Sequence, residues 1–379
     1  MQYFFILGRQ PRLSADEIKI KISKIDSKST LLKETEQFLI YQINKDMEPE
    51  KLNKLLAGTV KIGKIIKSTD NFDPKEIKAL LPENKEKVIF GLSAYGHNYN
   101  INKIGLNIKK ELKNQGQKAR FVSAKAYPLS SVVVQKNILN KNGTELVSLK
   151  TAEQIFWGKT LSVQPFALFS KLDFGRPARD DYSGMLPPKL AQIMLNLSKA
   201  KPTDKILDPF CGSGTIIQQA YFLGFNQIIG SDTNPKAIKS CQQNLKWLAD
   251  EFNLNIKPKI LNLSAQNLSE KMENSSINII VSEPDLGPPL KGRETSGQLK
   301  EIAERLESLY KKCFDSFNQI LAQNGTIVFV FPEFKTKKGS IKLDLEKILK
   351  NNFELKKTWL YTRKDQHLAR RICLIEKTP

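Results

Sequence analysis

Histidine and cysteine are nearly absent from this chain. Two histidines, His97 and His367, and four cysteines, Cys211, Cys241, Cys313 and Cys373, serve 379 residues. No CxxC pair occurs and neither histidine has a partner at ligand spacing, so no metal site is expected. The same scatter argues against a disulfide framework and for four inert thiols in a reducing cytoplasm. No apolar run approaches the ~18–20 residues of a membrane helix. Met1–Leu7 is a short apolar patch without a basic n-region or cleavage site, so no secretory leader is expected. A cytoplasmic protein is therefore expected; no oligomer signature is read, and a monomer is favoured.

Acidic residues are also in short supply. Asp and Glu number 39 against 60 Lys and Arg, a net charge of +21. A coding bias toward A/T-rich codons would enrich Lys, and the basic set is 50 Lys to 10 Arg. That bias would enrich Glu too, and the acids have not kept pace. Residues 87–170 hold 12 basic and 3 acidic residues. A positive field concentrated in one segment suits a polyanion such as RNA.

Patterning changes near residue 200. Upstream, Tyr3–Leu7, Gln37–Ile43 and Val60–Lys67 read as strands. A helix capped by Ser14 with Glu17 at N3, and another near Pro49–Leu56, complete a β-α-β-β-α-β, ferredoxin-like order. From Lys87, strands are expected at Val88–Ser93, Ala119–Val122, Ser130–Lys136, Glu145–Leu149 and Gln154–Val163. A helix is expected over Ile101–Asn114, with Asn142-Gly143 as a hairpin turn. Downstream of a connector rich in Arg, Asp, Gly and Pro, helices and strands alternate in a doubly wound α/β pattern. A terminal hairpin, Glu354–Tyr361 with Arg371–Glu376, closes it.

The sharpest local signal is Asp208-Pro209-Phe210-Cys211-Gly212-Ser213-Gly214-Thr215, which follows a strand and opens a helix. It is neither a Walker loop nor GxGxxG. Gly212 and Gly214 permit close backbone approach, and Asp208 suits a ligand carrying an ammonium group rather than a pyrophosphate. The next strand ends at Asp232, followed by Thr233, where a carboxylate can accept both hydroxyls of a ribose. Together these describe a site for S-adenosylmethionine.

The Asp208–Thr215 loop with Asp232 resembles motifs I and II of the class I methyltransferases. The run Ile279–Gly287 sits where those that methylate an exocyclic amine carry [D/N]-P-P-[Y/F/W]. Leu7–Pro11, Gly58–Lys64, Ser183–Leu190 and Asp365-Gln366 with Arg371 resemble the THUMP-containing tRNA guanine-N2 methyltransferases that act on guanosine 10. The resemblance implies a ferredoxin-like domain over 1–70, a THUMP RNA-binding domain over 71–166 and a linker over 167–188. A Rossmann-like methyltransferase domain over 189–379 follows. It implies a tRNA partner, and catalytic roles for Glu283, Pro284, Asp285 and Leu286. It implies cofactor contacts from Asp208, Pro209, Phe210, Cys211, Gly212, Ser213, Gly214, Asp232, Thr233 and Ser264, with Ser183 and Met185 closing the pocket. Lys109, Lys113, Lys118, Arg120 and Lys125 are the expected RNA contacts, with Arg120, Phe121 and Lys125 foremost.

The catalytic run departs from the family pattern. Glu283 replaces the usual Asp or Asn, Pro284 is kept, and Leu286 offers no π face, a loss of about 1–3 kcal/mol of base stacking. Phe331 and Phe334 are the alternative source of stacking, or else core residues. The acidic residue that meets adenine is missing from Leu263–Asn267, where Ser264 or Gln266 stands in. The alternatives to tRNA guanine methylation are methylation of rRNA guanine or another exocyclic amine, and a tRNA-binding protein with a weakened catalytic domain.

Overall fold

A computed structural model describes residues 1–70, 74–82, 86–179, 185–337, 339–363 and 366–378, in two compact units, Met1–Leu168 and Phe169–Pro379. The first unit runs β1 (Gln2–Leu7), α1 (Pro11–Ile25), β2 (Thr30–Glu34), β3 (Phe38–Gln42), α2 (Pro49–Leu55), β4 (Thr59–Thr69) and α3 (Pro74–Ala79). It continues with β5 (Lys87–Tyr95), α4 (Ile101–Asn114), β6 (Lys118–Phe121), α5 (Ser131–Asn137), β7 (Thr144–Lys150) and β8 (Ile155–Val163). All eight strands form one sheet in the order β2-β3-β1-β4-β8-β7-β5-β6. Strand alternation splits β1 between two cores. Tyr3, Phe5 and Leu7 meet Ile18 and Ile22 of α1, while Phe4 and Ile6 join Phe38, Ile40 and Val147.

Three expectations fail here for physical reasons. Ser14 does not cap α1, because Pro11 starts the helix a turn earlier; its hydroxyl donates to the Gln10 carbonyl at 3.0 Å. Glu17 is buried and accepts from the amides of Ala57 (3.0 Å) and Gly58 (2.8 Å), so its carboxylate holds the start of β4. Ser130–Lys136, read as a strand on its three valines, is α5. Ser130 caps it by accepting from the Val133 amide, and Val134 and Ile138 form its buried face. β5, β6 and β7 run parallel, and a parallel connection needs a crossover rather than a hairpin. Asn142 is accordingly left-handed (φ 54°) at the end of a 3-10 turn, not in a hairpin.

A buried ion pair joins the strands of this sheet. Lys61 of β4 donates to Glu145 of β7 at 2.5 Å, with both side chains fully buried. Ser93 of β5 and Thr160 of β8 each donate to the same carboxylate at 2.6 Å. Burial strips both charges of water, so each depends on the other.

The second unit opens with α6 (Phe166–Phe174), which crosses the boundary, then α7 (Pro188–Leu197), β9 (Ile206–Asp208), α8 (Thr215–Phe222), β10 (Ile228–Asp232), α9 (Pro235–Phe252) and β11 (Lys259–Asn262). Then come β12 (Ile277–Ser282), α10 (Ser296–Ile320), β13 (Leu321–Thr336), β14 (Gly339–Lys342), α11 (Leu345–Leu349), β15 (Phe353–Tyr361) and β16 (Leu368–Lys377). The sheet order is β11-β10-β9-β12-β13-β16-β15, with β14 on β13 and β16 antiparallel between β13 and β15. This is the doubly wound class I methyltransferase sheet, and the expected terminal hairpin is present. α10 begins with a capping box between Thr295 and Gln298. Its stripe Leu299, Ala303, Leu306, Tyr310, Phe314 and Phe317 packs with Ile280, Ile327, Phe329 and Phe331. Sequence order reverses between β9 and β12, and in open α/β sheets ligands bind beyond the strand ends at such a point.

Lys61→Met alone should cost about 3–5 kcal/mol, because Glu145 is left buried without its counter-ion, whereas Lys61→Met with Glu145→Leu should recover most of that. Urea unfolding of the two variants measures the difference.

Candidate active site

Beyond the ends of β9, β10 and β12 lies a cavity of about 530 Å³. Its floor is the loop after β9. Asp208 is almost wholly buried; it accepts from the Ser282 hydroxyl at 2.7 Å and from the Phe210 amide at 3.2 Å. Burial outweighs those bonds and pushes its carboxyl up to about 7, with the charges of Asp232 and Glu283 acting in the same direction. Gly212 (φ 50°) and Gly214 (φ 87°) turn the chain into α8. A side chain on Gly214 would also lie 2.7 Å from the Cys241 sulfur, whereas nothing approaches the open side of Gly212. The loop is pinned further by the Gly212 amide donating to Asp232 at 3.0 Å. Asn244 of α9 donates to the carbonyls of Ser213 (2.9 Å) and Ala178 (2.8 Å).

Glu283 and Pro284 follow β12 directly and form the opposite wall. Both carboxylate oxygens of Glu283 face the guanidinium of Arg370 on β16, through a short bond from Nε and a second from Nη2 at 3.4 Å. Asp285 accepts from the Gly287 amide at 2.9 Å, and its carbonyl takes a short bond from the Tyr310 hydroxyl. Burial raises the Tyr310 phenol well above its ordinary range, so it stays a neutral donor. The Glu283–Gly287 run is thereby tied to α10.

Most of the expected site residues meet at this one cavity. Asp208, Pro209, Phe210, Cys211, Gly212 and Ser213 line it, with Asp232, Thr233, Ser264 and Met185. Glu283, Pro284, Asp285 and Leu286 line it as well. Gly214 lies behind the lining and shapes the turn. Ser183, Gly184 and Asp365 lie outside the described residues. Gln266 stands beside Ser264 on the wall. Phe331 and Phe334 are fully buried in the core, so they offer no ring to a base. Among the lining residues the single aromatic is Phe210.

Arg370, which the sequence did not single out, reaches the cavity. Neighbouring residues on a strand face opposite sides, and Arg371 instead donates to the Leu343 carbonyl at 3.0 Å. Asn244 was also missed. Its signal is a polar residue within the buried stripe Cys241, Asn244, Leu245 and Leu248. In the first unit, Lys113, Lys118, Arg120 and Lys125 are exposed and Lys109 half-buried. α4 packs on β6 through Gly105 against the Phe121 ring, so Phe121 is core rather than surface.

Within a chain of net charge +21, the cavity wall carries Asp208, Asp232, Glu283 and Asp285 against one cation, Arg370. That balance favours a cationic ligand over a phosphate. S-adenosylmethionine, with a sulfonium, an ammonium and a ribose, fits the donors and acceptors present. Among the described residues, no group of three His, Cys, Asp or Glu could hold a metal ion, and no helix is long and apolar enough to cross a membrane.

Two family models match the chain. One, described as RMKL-like, methyltransferase domain, covers residues 176–359; the other, described as DNA methylase, covers residues 26–243. The tRNA (guanine(10)-N2)-dimethyltransferase of Methanothermobacter thermautotrophicus is 29% identical over 197 residues, 52% of this chain and 50% of its own. The chain thus spans about half the length of that relative. Among solved structures, TrmN from Thermus thermophilus superposes with a TM-score of 0.60 at 16% identity, covering 100% of both chains. SMU.472 in complex with SAH gives 0.51 at 12% identity, over 98% of this chain and 97% of that one. At those identities the structures speak to the fold. Strand order, cavity and family models agree: the chain belongs to the class I S-adenosylmethionine-dependent methyltransferases.

Proposed function

We propose that the protein transfers a methyl group from S-adenosylmethionine to the exocyclic N2 amine of a guanosine in tRNA, of the guanosine 10 type. The observation that carries the reading is Glu283-Pro284 facing Asp208 and Asp232 across one cavity. The relative from Methanothermobacter, whose name specifies guanine 10 N2, supports the choice of base and RNA. Domains are assigned as 1–70 ferredoxin-like, 71–166 THUMP, 167–188 linker and 189–379 methyltransferase. Lys109, Lys113, Lys118, Arg120 and Lys125 contact phosphates, which give affinity without sequence readout. A cytoplasmic setting suits four free cysteines.

Asp208 takes the ammonium of the methionine part, the Gly212–Gly214 backbone lies along it, and Asp232 takes the ribose hydroxyls. Ser264 stands at the adenine side, and Met185 closes the pocket. Bound there, S-adenosylmethionine supplies an activated methyl on a cationic sulfur. Glu283 and the Pro284 carbonyl accept the N–H bonds of the target amine and aim its lone pair at the cavity floor. The proton lost on methylation leaves toward the Glu283 carboxylate. Leu286 gives the base an apolar contact, and Asp285 holds the turn through Gly287.

Asp208 gives the cofactor step a pH signature. Its carboxyl, raised to about 7, is the form the dry fold prefers neutral, so its stabilising contribution is present at low pH and lost as pH rises through 7. Ammonium binding needs the carboxylate. Affinity for S-adenosylhomocysteine should therefore fall by up to about tenfold per pH unit below 7 and level off above it. Calorimetric titration from pH 5.5 to 8.5 reads this slope, and Asp208→Asn should flatten it at lower affinity. Asp232→Ala should abolish measurable binding; unchanged affinity would overturn the ribose assignment. With labelled cofactor and unmodified tRNA, label should appear in N2-methylguanosine. Label confined to rRNA would redirect the substrate, and tRNA binding without label would favour a binding protein.

A further inference from the structure

Arg370 has no part in the roles above, yet it shares the cavity wall with Glu283. The two side chains are only 13% and 11% exposed, and that remaining surface lies at a site both of them line. Arg370 spends Nε–H and one Nη2–H on the carboxylate. A guanidinium has five N–H donors in a rigid fork, so three remain. Its backbone is fixed in β16, opposite Pro332 on β13 and Tyr361 on β15. One wall therefore presents a donor and an acceptor side by side, each holding the other in place.

That pattern can be matched to base edges. The Watson–Crick edge of guanine runs from an acceptor, O6, to two donors, N1–H and the N2 amine. Adenine presents a donor amine where guanine has O6, and an acceptor at N1. Edge hydrogen bonds to unstacked bases are the usual source of specificity in RNA. We infer that Arg370 is a specificity-determining residue that donates to guanine O6 while Glu283 accepts from N1–H and N2–H, so that the pair selects guanine and rejects bases without O6. This rests on the function proposed above and deepens it. It also offers a reason for Leu286: where paired polar groups grip the edge of the base, a stacking ring is less needed.

Transfer should be measured on RNA transcripts carrying guanosine or 2-aminopurine riboside at the accepting position. 2-Aminopurine keeps the N2 amine and lacks O6 and N1–H. The full-length protein should prefer guanosine by about tenfold to a hundredfold, the discrimination typical of a well-placed pair of base-edge bonds. Arg370→Met should slow transfer to guanosine more than to 2-aminopurine, shrinking that preference by about fivefold or more. Arg370→Lys, which keeps a cationic donor but not the planar fork, should fall between. Equal rates of the unaltered protein on the two bases would overturn the inference without any variant being needed. An equal fall on both bases in Arg370→Met would overturn it too, since a residue that only supports Glu283 would act alike on both. If the unaltered protein transfers to neither base, the guanine-methylation reading fails, and this inference with it.

Discussion

The hydrogen bond between the Ser282 hydroxyl and the buried Asp208 carboxylate is the constraint on which the site depends. It joins the ends of the paired strands β9 and β12 across the reversal of strand order, so it helps set the Asp208–Thr215 loop and the Glu283–Gly287 run relative to each other. A carboxylate there is costly in the unliganded protein. Under the proposed function, that cost would make the position selective for a cation, because an arriving ammonium restores the interactions that burial removed. The surrounding bonds serve the same geometry: Gly212 to Asp232 at the next strand end, Asn244 beneath the loop, Tyr310 behind the Glu283–Gly287 run.

The two units solve the problem of buried polarity differently. In the first, Lys61 and Glu145 neutralise each other and two hydroxyls complete the set, leaving no charge for a ligand to find. In the second, negative groups collect at the strand ends with one guanidinium among them. The first arrangement cements a sheet that combines antiparallel and parallel strands; the second keeps a binding appetite. Net charge alone would have predicted neither, since the acidic cavity sits in a strongly basic chain.

The methyltransferase unit was largely legible because each of its signals is local. A glycine loop between a strand and a helix, a carboxylate at the next strand end and a continuous apolar run at β12 need only their neighbours to be read. α5 was not legible, since three consecutive valines favour a strand until the parallel placement of β6 and β7 demands a crossover. Glu17 looked like a helix cap because its true partners, the amides of Ala57 and Gly58, lie about 40 positions away. Arg370 was not singled out because strand parity relative to a cavity is set by tertiary register. The departures at Glu283 and Leu286 were visible at once, but the partner that gives Glu283 its setting comes from the far end of the chain.

Cys241 lies directly under Gly214, and Cys211 lines the cavity just above it. The neighbouring Cys241 sulfur and burial hold the Cys211 thiol far above its ordinary range, so Cys211 is not a ready nucleophile. Both thiols are buried, so reagents at this place are limited by access. The rate at which a small alkylating reagent reaches Cys241 becomes a clock for the opening of the Asp208–Thr215 loop above it. Any ligand that seats the loop more firmly slows that clock, so occupancy can be timed without following methyl transfer at all.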